Sequence, residues 1–297
     1  MRVVISGASG LLGTALTQSL RADGHTVVAL VRRTALSPDE STWNPATGRI
    51  DHDVIAASDA VVNLAGASIG DKRLTSGYKR VVLHSRVDST HTVAGAIASA
   101  NPSAILLQGS AMGYYGDRGP EPLSERMKPG KGFLADVCLA WEEAARPAAE
   151  AGAHVAYLRT GLVLAPHGGF AKRLLPLARR GLLGSMGNGA ALQSWITLDD
   201  TVSAMRFLLE QRHQGAVNVV APQPAPISDV IGSLARAFGA TPGLTVPAWV
   251  LHAVIGEAAD DLLASQAGVP GVLNRLGFTW SHPTLDDAAS YVAAGAK

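Results

Sequence analysis

The sequence is most informative first in what it lacks. It has a single cysteine, Cys138, in 297 residues. No disulfide framework can form within the chain, and a reducing compartment is expected. Charge is sparse and balanced, with 25 basic and 24 acidic residues and a formal net charge of +1. That leaves no electrostatic case for a nucleic-acid partner or an anionic membrane surface. No apolar run reaches the length of a membrane span, and no signal-peptide regions precede the first apolar run. The nine histidines are scattered and none pairs with Cys138 at metal-ligand spacing, so no metal site is expected. Hydrophobic residues at 47% nevertheless supply ample core. The expectation is a cytoplasmic protein built as one large α/β domain, or one domain with a smaller appendage.

Against those absences, the first thirty-odd residues, "RVVISGASGLLGTALTQSLRADGHTVVALVRR", are densely patterned. "RVVIS" is a short apolar run of the kind buried on both faces of a parallel sheet. Gly7, Gly10 and Gly13 follow at three-residue spacing. Leu12, Ala15, Leu16 and Leu20 then repeat at helical spacing, Gly24 sits where a helix ends, and "TVVALV" is a second strand. Gly7 permits the tight exit from the strand, Gly10 lets the backbone approach a pyrophosphate, and Gly13 lets the helix pack closely. The helix N-terminus then offers free N–H groups to phosphate. Gly7, Ser9, Gly10, Leu11, Leu12 and Gly13 are thus expected to hold a dinucleotide. Arg32 and Arg33 end the second strand, where an NAD site usually keeps an acid for the ribose 2′-hydroxyl. Two cations there suit a 2′-phosphate, hence NADP(H).

Strand and helix patterns keep alternating. "SDAVVNLAG" (58–66) is a strand running into a small-residue turn, where Leu64, Ala65 and Gly66 would let a cofactor pass over the strand end. A long helix follows from about Ser76 to Ala100, then a strand over 103–110, a loop rich in Gly and Pro, a helix from 132 to near Gly152, and another strand. This order predicts a doubly wound parallel sheet. The polar stretch 34–53 reads as turns, with Trp43 either covering the adenine side of a cofactor or packing on its own loop. After 165 the pattern becomes irregular, and a short helix is expected over 171–180. The expected division is a dinucleotide-binding domain over 1–165 and a smaller substrate-side lobe over 166–297, partly interleaved with it.

"SGASGLLG", "VVNLAG", "GSAMGYYG", "RTGLVLAPHGG" and "SWITLDD" fall in order along the chain. Together they resemble an extended or atypical short-chain dehydrogenase/reductase, in the NAD-dependent epimerase/dehydratase-like branch and its group of "epimerase family proteins". The resemblance covers essentially the whole chain. It implies a Rossmann-like fold, an NADP(H) site and a C-terminal substrate lobe. It also implies a serine after the fourth strand and a Tyr-x-x-x-Lys pair on the next helix, where the tyrosine moves a proton and the lysine lowers its pKa. Here the chain departs from the pattern: with Glu142 as the acid that commonly follows the lysine, Leu134 stands at the tyrosine and Cys138 at the lysine.

The serine is Ser110 or, in the alternative alignment, its place falls on Ala111; Ser110 is preferred as the hydroxyl at the strand end. Tyr114 or Tyr115 could replace the missing acid/base, with Lys79 or Arg86 as cationic help. Both rings could equally be pocket wall. Arg86 occupies the place of an asparagine in the superfamily's long helix, suited to an anionic substrate group or a cofactor phosphate. His167 with Gly168 and Gly169 looks like a loop at the nicotinamide end, and Gln193 and Trp195 like cleft residues. Two functions follow: an NADP(H)-dependent oxidoreductase or epimerase-like enzyme acting on a small carbonyl or hydroxyl substrate, or a non-catalytic NADP(H)-binding sensor. The expected partner is a small molecule with anionic character, and a homodimer is compatible with either function.

Overall fold

The first strand lies near the middle of the sheet and the chain winds outward from it in both directions. In the computed structural model, which describes residues 1–70, 72–169, 176 and 180–296, β1 (Arg2–Ser6) is followed by β2 (Thr26–Val31), β3 (Glu40–Thr42), β4 (Ala60–Asn63), β5 (Ile105–Ala111) and β6 (His154–Thr160). Beyond these come β7 (Leu162–Leu164), β8 (Leu183–Met186), β9 (Leu192–Gln193), β10 (Trp195–Thr197), β11 (Gly215–Val219), β12 (Ala225–Pro226) and β13 (Leu244–Val246). The central sheet is seven-stranded, in the order β11-β6-β5-β4-β1-β2-β3, and every pairing in it is parallel. The doubly wound, Rossmann-like reading is thus correct.

Alternation along β1 explains the two layers. Val3 and Ile5 face one side, with Leu16 and Leu20 of α1 (Leu11–Ala22) and, further along the chain, Met205 and Leu208. Val4 faces the other, with Ile55 of α2 (His52–Ala56) and Val93 and Ile97 of α3 (Ser76–Ala100). All of these side chains are buried, as a parallel sheet covered on both faces requires.

The helix expected over 132–152 is two helices, α4 (Phe133–Glu143) and α5 (Arg146–Glu150). Pro147 sits in the first turn of α5; it has no N–H to give, and its ring would collide with the carbonyl four residues back in a continuous helix. The turn-rich stretch before Asp53 contains the edge strand β3. Trp43, at 3% exposure, is part of the core beside Val28 and Leu30, so it neither covers a cofactor nor lies on a rim. The helix expected over 171–180 lies largely outside the described residues.

After residue 165 the chain makes a smaller lobe and also returns to the sheet. α6 (Leu198–Glu210) packs on α1, and β11 adds the edge strand beside β6. The lobe itself joins α7 (Ile227–Ala237), α8 (Ala248–Ile255), α9 (Ala258–Leu263), α10 (Gly271–Leu276) and α11 (Leu285–Gly295) with the short pairs β8–β13 and β9–β12. Its core includes Trp195, Ile227, Val230, Ile231 and Val292.

The N-cap of α6 is Thr197, one residue before the helix and three before Asp200. Asp200 is fully buried and fastens the chain's last quarter to α6: it accepts from the backbone N–H of Ser281 at 2.7 Å and of His282 at 3.0 Å, and from the Thr197 hydroxyl at 3.0 Å. Replacing it takes the acceptor from one buried hydroxyl and two part-buried backbone N–H groups. Asp200→Ala is expected to lower the unfolding free energy by about 3 kcal/mol, read as a lower urea midpoint with an unchanged slope.

Candidate active site

The glycine turn lies at the carboxyl end of β1, between β4 and β2, where the winding of the sheet reverses. Open α/β sheets take ligands at that point. Gly7 has φ +71°, and a Cβ on it would stand 2.8 Å from the carbonyl of Leu64. A Cβ on Gly13 would run into the backbone of Gly7 and Ala8, so α1 leans directly on its own turn. Gly10 is the N-cap of α1 and provides no side-chain cap, and the first turn carries no acid. The leading N–H groups of the helix, which no carbonyl of the helix can reach, therefore face outward uncapped. That cradle fits a pyrophosphate. Ser9 is exposed, and Leu11 and Leu12 are half-buried. The loop after β7 comes back to this turn, since Gly168 and Gly169 pack against the Leu11 side chain.

The two arginines after β2 have different situations. Arg33 makes a forked pair with Glu40 of β3 at 2.7 and 2.6 Å, and Glu40 also accepts from the Leu36 N–H. The Arg33 guanidinium holds the Glu40 carboxyl down to about 2. Thr42 ties the same loop through the Arg33 carbonyl and the Ala35 N–H. Arg32 is exposed and has no hydrogen bond or ion pair among the described residues. Of the two, Arg32 has the uncommitted charge.

Beneath the turn runs a buried polar row across three neighbouring strands. Ser6 donates to Asn63, whose amide donates to Gln108 at 2.9 Å and to Thr90 of α3 at 2.9 Å. It stiffens the sheet edge where the floor of the site begins. The Leu64–Gly66 stretch continues from it: the Ala65 N–H reaches the Ser6 hydroxyl, and Ser85 accepts from the Ala67 N–H. Gly66 passes against Arg86, whose guanidinium carbon would lie 3.1 Å from a Cβ there. Arg86 is 9% exposed, donates from one terminal nitrogen to the Ala67 and Val82 carbonyls, and stacks on the Trp141 ring at 4.9 Å. Its other nitrogens have no partner among the described residues, and no carboxylate pairs with it there. Burial lowers its pKa.

Past β5 the chemistry is organised around Arg159 of β6. Its guanidinium forks onto Glu142 of α4 at 2.8 and 2.9 Å, with both side chains nearly buried. It also donates to the Tyr115 hydroxyl at 2.9 Å, and it lies 3.5 Å from the centre of the Tyr114 ring. Ser110 donates its proton to Glu142 at 2.7 Å. Its oxygen therefore presents lone pairs, suited to accepting from a substrate hydroxyl more than to polarising a carbonyl.

Tyr115 is fully buried, and its hydroxyl donates to Asn218 of β11 at 2.7 Å while accepting from Arg159. Burial pushes its pKa up to about 12. The expectation that Tyr115 could move a proton in the cleft is thereby corrected, because its hydroxyl is a buried tie from the 3₁₀ turn after β5 to β6 and β11. Tyr114, at 8% exposure, stacks edge-on against Tyr115, and burial raises its pKa as well.

Leu134 and Cys138 of α4, which the resemblance sets at the superfamily's tyrosine and lysine, both face Gly113, just past Ser110. Cys138 is buried and its thiol is pushed up to about 12, by burial first and then by the carboxylates of Glu142 and Asp261. It is a neutral packing group and no nucleophile. Lys79 is paired with Glu257 and lies over the Phe133 ring, so it is not available to a tyrosine. Gln193 donates to the carbonyls of Leu262 and Ala264 at 3.2 and 2.9 Å, and Trp195 is core, so neither faces a cleft. Sequence reasoning passed over Arg159 and Asn218, although each is a polar side chain inside an otherwise apolar strand, "HVAYLRT" and "GAVNV".

Residues 3–220 match the NAD dependent epimerase/dehydratase family, and residues 246–292 match a domain family of unknown function. An epimerase family protein of Mycobacterium bovis is 40% identical over 291 residues, covering 97% of this chain and 96% of that one. The crystal structure of human epimerase family protein SDR39U1 with NADPH superposes with a TM-score of 0.89 at 31% identity, covering 99% of both chains. A nucleoside-diphosphate sugar epimerase from Corynebacterium glutamicum gives 0.80 at 32% identity, covering 99% of this chain and 58% of that longer one. With the glycine cradle at the switch point and similarity extending over nearly the whole length, the chain belongs to the NAD-dependent epimerase/dehydratase family.

Proposed function

We propose that the protein binds NADP(H) and catalyses hydride exchange with a carbonyl or hydroxyl carbon of a small substrate bearing an anionic group. The observation that carries this reading is the uncapped turn of α1 combined with Arg32, a cation left uncommitted beside it. A free guanidinium suits a 2′-phosphate, whereas a 2′-hydroxyl calls for an acid. The human relative solved with NADPH supports the same choice. When bound, the cofactor would supply the hydride donor or acceptor.

The chain's own groups then have distinct tasks. The backbone from Gly7 to Gly13, with Ser9, Leu11 and Leu12, holds the phosphates. Arg32 takes the 2′-phosphate, and Arg33, already held by Glu40, shapes the loop that presents it. Leu64, Ala65 and Gly66 form the floor. Arg86 supplies a desolvated cation for an anionic group of cofactor or substrate. Ser110, its proton committed to Glu142, orients a substrate hydroxyl, and Tyr114 walls the pocket.

One observation favours a second reading, a cofactor-binding sensor without catalysis: Leu134 and Cys138 cannot perform the proton chemistry of the tyrosine and lysine they replace. Following NADPH absorbance with a panel of aldehydes, ketones and quinones separates the two. Turnover of any member supports the enzyme, and tight binding with turnover of none favours the sensor.

Two measurements test the residue assignments. In a fluorescence titration, Arg32→Ala is expected to weaken NADPH about tenfold to a hundredfold, the value of one charge-assisted contact, while NADH changes less than threefold. Equal losses for both would remove the case for NADP(H). Tyr115→Phe is expected to lower stability by about 1–3 kcal/mol, since it strands buried groups on Asn218 and Arg159, and to leave NADPH affinity unchanged. Weaker NADPH binding at full stability would put the phenol in the cleft instead.

A further inference from the structure

The chemistry missing from α4 has a replacement within the same few ångströms, supplied from the C-terminal lobe. The point that a Cβ on Gly113 would occupy lies 3.5 Å from Leu134 Cβ, 3.8 Å from Cys138 Sγ and 3.6 Å from a carboxyl oxygen of Asp261. The Asp261 carboxyl therefore shares one small volume with the two side chains that stand at the superfamily's tyrosine and lysine. It is about 120 residues further along the chain, in α9.

We infer that Asp261 is the acid/base of this site, exchanging a proton with the oxygen on the substrate carbon that exchanges hydride. The assignment rests on the oxidoreductase reading above.

Three features of the structure support it. Asp261 makes one hydrogen bond that is on view, accepting at Oδ1 from the Gln266 amide at 3.1 Å, and it enters no ion pair among the described residues. The acids beside it on the chain are turned elsewhere, Asp260 towards His252 and Glu257 towards Lys79. The chain just after the carboxyl is also fastened. Gln193 binds the Leu262 and Ala264 carbonyls, Asp117 accepts from the Ser265 N–H at 3.1 Å, Arg118 donates its N–H to the Ser265 carbonyl, and Leu192 reaches the Ser265 hydroxyl. Fastened backbone directly after the residue helps position a proton-transfer group.

The third feature is the wall that Asp261 faces. Leu134 is apolar and the Cys138 thiol is neutral, while Gln266 is uncharged. Among the described residues no arginine or lysine pairs with the carboxylate, and burial raises its pKa above the ordinary aspartate range. Exchange of a Tyr/Lys pair for Leu/Cys thus creates the environment that turns a nearby aspartate into an acid/base active nearer neutrality.

The step balances simply. In oxidation, the substrate's C–H bond breaks with its electron pair passing as hydride to the oxidised nicotinamide, the O–H proton passes to the Asp261 carboxylate, and the C–O bond becomes C=O. In reduction Asp261 returns the proton to the carbonyl oxygen as hydride arrives at its carbon.

Asp261→Asn tests the assignment in the full chain by two readouts. The first is thermal. A carboxyl whose pKa is raised in the folded state loses stability as pH rises from the unfolded to the folded value. Asp261→Asn should therefore melt at or below wild type in acid and above it at pH 8, with the gap opening as pH increases. A gap that is negative at pH 8, or constant with pH, overturns the inference. The second is turnover of NADPH with glyoxylate, acetoacetate, glyceraldehyde and 9,10-phenanthrenequinone. Asp261→Asn should lose about a hundredfold or more, the usual worth of a general acid, with NADPH affinity unchanged. Turnover within threefold of wild type overturns the role of Asp261 and leaves the oxidoreductase reading intact. A wild type that binds NADPH and turns over none of the four overturns that reading, and the role of Asp261 with it.

Discussion

One buried guanidinium, that of Arg159, decides how the carboxyl ends of β5, β6 and β11 meet. It engages Glu142 on α4, the Tyr115 hydroxyl, the Glu125 carbonyl and the face of Tyr114. Glu125 in turn accepts from the backbone of Asn218 and of Val272. Three strands of the sheet, and α10 beyond them, thus share one charged centre. Such a pair adds little net stability, because desolvating both ions offsets their attraction, yet losing either partner leaves a buried charge worth about 3–5 kcal/mol of destabilisation. Its contribution is geometric: it fixes which way α4 faces, and so which residues line the site.

The same pair sets the polarity of the site. By drawing the Ser110 proton towards Glu142, it turns the one hydroxyl at the end of β5 into an acceptor. By saturating the Tyr115 hydroxyl, it removes from the cleft a phenol that the sequence places temptingly close. What it leaves facing Gly113 is an apolar and neutral wall, and the carboxyl nearest to it comes from α9.

The parts of this arrangement that could be read from sequence are those governed by local geometry. Three glycines between a buried strand and an amphipathic helix specify a turn with its N–H groups turned outward, and the structure has that turn. The alternation in β1 and the spacing in α1 likewise announce the layers. The break at Pro147 had its signal in the proline itself. Arg32 and Arg33 could not be distinguished, because the difference lies in Glu40, seven residues on and brought alongside only when β3 joins β2. Tyr114 and Tyr115 could not be distinguished for a similar reason: they fall in a single 3₁₀ turn, where neither strand nor helix period says which ring turns inward. Trp43 sits in polar sequence yet is core, since the short edge strand carries it under β2.

Asp261 was the least legible of all, and the reason is physical. An aspartate in a polar helical stretch, preceded by Asp260, has the sequence profile of a solvated helix face. Its character depends on groups more than 120 residues away in the chain, and on what those groups no longer are. A tyrosine and lysine at 134 and 138 would have surrounded the carboxylate with a donor and a cation and held its proton affinity low. Leucine and a neutral thiol do the reverse. The desolvated carboxyl that results is costly to the fold, and Gln193, Asp117 and Arg118 are spent on fastening its segment in place. Natural sequences shed costs of that kind unless the site uses them, which is why the fastening of the chain after Asp261 is an argument for chemistry and the absent Tyr/Lys pair is not an argument against it.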